Sequence, residues 1–112
     1  MKKALLFVLA LAVIPVGVDA QGTELAQLRA LAEQGNAVAQ YNLGYMYANG
    51  EGVPEDYVLA YMWWNLAAAQ GNETAQSNKG RLERQMTREQ IAEAQRLSRE
   101  WIEAHPPGGR ID

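Results

Sequence analysis

QGNAVAQ at residues 34–40 and QGNETAQ at residues 70–76 are nearly the same phrase, written twice at a period of 36 residues. The match continues in register, with Asn42 answering Asn78 and Gly44 answering Gly80. A fixed period of this size is the mark of a repeat architecture, in which each unit is a helix–turn–helix. In each copy the glycine is placed to stop one helix, and the asparagine after it to cap the next.

Working outward, no segment alternates with period two, and several carry apolar residues three and four positions apart, so the whole chain after the leader reads as helical. Thr23 is the expected N-cap of a first helix running to about Glu33, with Leu25, Leu28 and Ala32 on one face. A second helix is expected from about Ala37 to Ala48, and the loop NGEGVPE ends it. There Gly50 and Gly52 supply the turn, and Pro54 and Asp56 lead into the next helix. That helix, DYVLAYMWWNLAAAQ, stops at Gly71. A fourth spans about Glu73 to Gln85. Thr87-x-x-Gln90 is a capping box for the last, REQIAEAQRLSREWIEA, which sets Ile91, Ala94, Leu97 and Trp101 along one side with Ala92 flanking. On the second helix, Ala39, Leu43 and Tyr47 share a face with Gly44 beside them. Gly44, Gly80, Ala60, Ala67 and Ala68 are assigned to close helix approach. Trp63 is assigned to the core. Trp64 is the next residue and faces another way, so one tryptophan of the pair is expected near the surface.

The ordered set Ala39-Gln40-x-x-Leu43-Gly44-x-x-Tyr47, Gly50-x-Gly52-Val53-x-x-Asp56, Ala60-x-x-Trp63 and Ala67-Ala68 resembles the Sel-like repeat (SLR) family. The resemblance implies an all-α protein, a short α-solenoid akin to tetratricopeptide repeats, built here from about five antiparallel helices. The segment MTREQIAEAQRLSREW is similar to the closing helix of bacterial members. One unit, about 36–71, is complete, and a second, about 72–104, is degenerate. In the second, Lys79 stands where Leu43 would be, Glu83 where Tyr47 would be, and no Gly-x-Gly-Val loop follows. Those departures imply a capped minimal stack rather than a continuous superhelix.

Residues 1–20, MKKALLFVLALAVIPVGVDA, pair two lysines with a short apolar run broken by Pro15 and Gly17, and read as a secretory signal peptide cleaved after Ala20. A signal anchor would need a longer uninterrupted run. With no cysteine in the chain, lipoprotein acylation is excluded and disulfides cannot contribute, so a domain at 21–104 must rest on packing. Residues 105–112 read as a flexible tail. Eight basic against twelve acidic side chains remain after the leader, a balance that argues against nucleic acid or membrane surface as partner. Periplasmic or secreted placement is expected.

No catalytic, cofactor-binding or metal-ligating constellation is expected. His105 lies in the tail without an ordered partner, Ser77 and Ser98 lack a companion histidine, and no thiol exists. Glu51, Glu55 and Asp56 lack the alternating oxygens of a calcium loop, and the Gly-Glu-Gly segment lacks the lysine and the preceding strand of a phosphate loop. Asn72-Glu73-Thr74 fits a glycosylation sequon but is better read as a helix cap. Function is therefore expected in a surface that binds a protein or peptide. Opposite Leu43 the second helix carries Val38, Asn42 and Tyr45, and one period on stand Thr74, Asn78 and Arg81. Resemblance to the SLR family places this stripe on the concave side, with Trp64 as an additional candidate contact. Self-association, an immunity or inhibitor role against a toxic enzyme, and a cell-wall hydrolase or its accessory are the alternatives.

Overall fold

Each copy of the repeated phrase folds into the same two-part joint. In the computed structural model, which describes residues 22–106, Gly35 and Gly71 both take φ of +96°, a left-handed conformation that favours glycine. The Gly35 N–H donates to Ala32 O and the Asn36 N–H to Leu31 O, both at 3.0 Å, and Gly71 and Asn72 repeat the pattern on Ala68 and Ala67. This pair of bonds is the Schellman motif, which satisfies the last carbonyls of a helix. The asparagine side chain then turns forward. Asn36 Oδ1 accepts the Ala39 N–H at 2.9 Å and Asn72 Oδ1 accepts the Ala75 N–H at 2.8 Å, capping the next helix.

Five helices result among the described residues: α1 (22–33), α2 (Ala37–Asn49), α3 (Tyr57–Ala69), α4 (Glu73–Glu83) and α5 (Arg88–Ala104). The α2–α3 loop is shaped by Gly50 and Gly52 at positive φ, and Asp56 caps α3 by accepting the Leu59 N–H at 3.0 Å. The Thr87–Gln90 capping box forms with both reciprocal bonds. Three boundary expectations shift. Thr23 lies inside α1, which already includes residue 22, so it is not that helix's cap. The second helix runs on through Asn49 before the left-handed Gly50 ends it. The fourth ends at Glu83 rather than Gln85, because Arg84, Gln85 and Met86 donate to carbonyls only three residues back and tighten its last turn.

Helix α3 is the centre of the stack, packing on α2, α4 and α5. Its two sides feed two apolar clusters. One contains Ala60, Tyr61, Trp64 and Ala67 with Ala75, Leu82 and Ala94; the other contains Met62, Trp63 and Leu66 with Ala32, Ala39 and Leu43. Both tryptophans are therefore buried, Trp63 at 6 % and Trp64 at 5 % exposure. The expectation of one surface tryptophan is corrected: adjacent residues do face different ways, but a helix covered on several sides has core in each direction. The Trp64 indole lies against Gly44, where an added Cβ would come within 2.4 Å of the ring, and its Nε1–H donates to Tyr41 O at 3.0 Å. Gly44 thus acts as expected. Gly80 does not, since nothing lies within 4 Å of the Cβ it lacks.

One buried polar group ties the first joint together. Gln40, fully buried, donates from Nε2 to Ala32 O at 3.1 Å and accepts from Gln70 Nε2 at 2.9 Å. Gln70 also donates to Gly35 O at 2.8 Å. The amides of two successive joints thus meet, and among the described residues no buried side-chain polar atom is left without a partner.

Candidate functional site

Two surfaces are candidates. The first is the stripe read from the sequence. Val38 is 63 % and Tyr45 45 % exposed, and Asn42 is exposed between them. These are side chains of a helix whose opposite face, Ala39, Leu43 and Gly44, is buried. On α4, Thr74 and Arg81 are exposed and Asn78 is half-buried, with the Arg81 guanidinium donating to Asn78 Oδ1. Tyr45 is backed by an aromatic ladder: its ring lies 6.5 Å from Tyr41, which stacks on Trp64 at 6.4 Å. Trp64 belongs to the same cluster as Ala75 and Leu82 of α4. It supports the stripe from below and, being buried, is not itself a contact residue, which corrects its place among the candidate contacts.

Between α3 and α4 the two departures from the repeat pattern become polar anchors. Lys79 donates to Asn65 Oδ1 at 3.0 Å and sits 5.5 Å from the centroid of the Tyr61 ring, within cation–π range. Glu83 accepts the Tyr61 O–H at 2.7 Å. Burial of the Tyr61 hydroxyl, with the Glu83 hydrogen bond second, holds its pKa above the ordinary 10.0. On α5, Arg96 bridges Glu93, at 2.6 Å, and Glu100. Glu93 is held below the usual carboxylate range by that hydrogen bond. Exposed pairs of this kind contribute little to stability.

The second surface was not read from the sequence. Helices α1 and α5 flank a groove of about 430 Å³, to which α2 and α3 contribute Leu43, Tyr47, Met62 and Trp63. Its end is tied across 68 residues of sequence by the Trp101 Nε1–H, which donates to Glu33 Oε1 at 3.1 Å. Trp101 also meets Trp63 edge-on at 6.3 Å and stacks flat on His105 at 3.9 Å. His105, expected in a tail without a partner, therefore has one: Nδ1 lies 2.8 Å from Trp101 O and Nε2 3.4 Å from Glu33. Residues 107–112 of the expected tail, and the expected leader 1–20, lie outside the described residues. The only sequence signal for this groove was Trp101 on the apolar side of α5; nothing local pointed to Glu33 as its partner.

Among the described residues no cluster of metal-ligating side chains occurs, and no helix is long and apolar enough to cross a membrane. The Sel1 repeat family model matches residues 37–72, which spans α2, its loop, α3 and the second joint. Among solved structures, the chain is similar to c5321, a protective antigen present in uropathogenic Escherichia coli strains that displays an SLR fold. That similarity has a TM-score of 0.67 at 37 % identity, over 71 % of this chain and 17 % of that one. The chain thus spans a small part of that relative's length. No curated protein matches it.

Proposed function

We propose that this chain, which carries a Sel1 repeat at residues 37–72 and is similar to a structure with an SLR fold, is a non-catalytic scaffold whose α2 and α4 bind a protein or peptide partner. Proteins of this fold serve protein–protein interaction in general. The observation that supports this face is that Val38 and Tyr45, two of the four large apolar side chains left exposed among the described residues, fall on one stripe of α2. Exposed aromatic residues and arginine are the types that anchor interfaces. Asn42 and Asn78 bring amides that both donate and accept, which suits an extended peptide backbone.

The rigid backing makes this stripe suitable for recognition. Tyr45 leans on Tyr41 and through it on buried Trp64, so ordering the ring on binding costs little entropy. Export to the periplasm after cleavage behind Ala20 is part of the same proposal. Amino-terminal sequencing of the protein recovered from the periplasm should begin at Gln21, and an intact Met1 would refute processing.

The face is tested by crosslinking capture from periplasmic extract, followed by affinity measurement with the partner so identified. Tyr45→Ala and Arg81→Ala should each weaken binding by about tenfold or more, and Asn42→Ala with Asn78→Ala by less. Equal affinity for all four variants would rule out this face.

A further inference from the structure

Where α1 and α5 approach each other, Arg29 stands on the groove without an ion-pair partner among the described residues. Arg29 and Glu33 stand one turn apart on α1, a spacing at which opposite charges ordinarily meet. Glu33 is instead engaged by α5, through Trp101 at 3.1 Å and His105 at 3.4 Å. Arg29 turns to α2, where its Nη2 donates to the Tyr47 hydroxyl oxygen at 3.2 Å. No carboxylate among the described residues comes within ion-pair distance of it. Having accepted that bond, the Tyr47 hydroxyl keeps its own hydrogen to donate. Guanidinium and phenol therefore stand side by side as donors, and both line the groove with Met62, Trp63 and Leu97.

We propose that this groove binds the carboxyl terminus of a partner polypeptide ending in a bulky apolar residue. The planar guanidinium fork matches a carboxylate, and Tyr47 adds a neutral donor beside it. At a chain terminus the carboxylate and the last side chain hang from the same Cα, so one residue meets both the donor pair and the apolar wall. An internal Asp or Glu cannot do this, because its carboxylate occupies the end of the side chain that the wall would take. Glu100, also on the groove, disfavours a second acid just upstream. A volume of about 430 Å³ is in the range of ligand pockets and suits one or two residues, not a folded domain. This surface is distinct from the α2/α4 stripe, and either assignment can fail without the other.

The test titrates three probes into the protein: N-acetyl-Gly-Gly-Phe as the free acid, the same peptide as its carboxyl-terminal amide, and decanoate. Binding is read from the indole N–H signals of Trp63 and Trp101 by heteronuclear NMR, with Trp64, in the other cluster, reporting that the fold is intact. The free acid should shift both groove signals saturably, and the amide should bind about tenfold more weakly. Arg29→Gln should weaken the acid about tenfold and leave the amide unchanged, while Tyr47→Phe, which keeps the ring, should weaken the acid by a smaller factor. Equal binding of acid and amide, an Arg29→Gln variant that binds the acid like the parent, or no shift up to about 10 mM would overturn the proposal. Decanoate binding as tightly as the peptide acid would overturn it in favour of a fatty carboxylate.

Discussion

Gly44 and Gly80 occupy the same place in successive units, one period apart in the sequence, yet the first holds a tryptophan ring against its backbone and the second faces open space. The same contrast runs through their neighbours. Leu43 is buried at 1 % exposure, whereas Lys79 reaches out to Asn65 and the Tyr61 ring. Tyr47 lines a groove, whereas Glu83 takes a hydrogen bond from Tyr61. What the two units share is the joint, and what separates them is the face beyond it. Repeat stacks need terminal units whose outer side is polar, and α4 is built in that way: Lys79 and Glu83 satisfy α3, while Thr74, Gln76, Ser77 and Arg81 are exposed.

Substitutions that treat the two units alike will therefore have unlike effects. The largest is expected for Gly44→Ala, whose methyl would meet the Trp64 indole. It should destabilise by about 1–3 kcal/mol in urea unfolding, the usual cost of overpacking a core. A net gain in stability, as helix propensity alone would give, would show that the indole can move aside. Removing the caps should come next and be equal in the two joints. Asn36→Ala and Asn72→Ala should each cost about 1 kcal/mol, and a marked inequality would mean that the joints, despite their shared letters, are not equivalent. Gly80→Ala should act in the opposite sense to Gly44→Ala, raising stability by about 0.5–1 kcal/mol, since it fills open space and stiffens the unfolded chain.

The smallest effect concerns pH. Because the Tyr61 pKa is raised in the folded protein, folding favours the neutral phenol. Its contribution is intact below the ordinary 10.0 and lost as pH rises through the folded value. Unfolding curves should therefore show stability falling in the alkaline limb, and Tyr61→Phe should flatten that limb. An unchanged slope in the variant would place the alkaline loss elsewhere.

The joints and the helix faces were legible in the sequence because they are local: a left-handed glycine, an asparagine cap and an apolar face are each set within a few residues. The loop was legible for the same reason. The two tryptophans were not, because facing in different directions implies exposure only for a helix covered on one side. The all-round apolar character of YVLAYMWWNLAAA was the available signal that α3 is covered on several. Gly80 was misread because the letter repeats while the indole opposite it does not. The groove was out of reach altogether. It joins Arg29 and Glu33 to Trp101 and His105, and such long-range company is decided by how α1 and α5 come together around α3. The α2/α4 stripe lies between these cases: its exposure follows from helical period, while its use does not.

Gln40 adds a discrimination to the stack that apolar contact cannot. Alanines and leucines tolerate a neighbour that slides by a turn, since one methyl surface is much like another. A buried amide does not, because a slipped α1 or α3 would leave Nε2 or Oε1 without a partner, at a cost of about 1–3 kcal/mol. The bonds from Gln40 to Ala32 O and from Gln70 to Gln40 thus act as an alignment pin that sets α1, α2 and the end of α3 in one register. It adds little to the depth of the folded state, but it makes one stacking register correct and the neighbouring ones wrong.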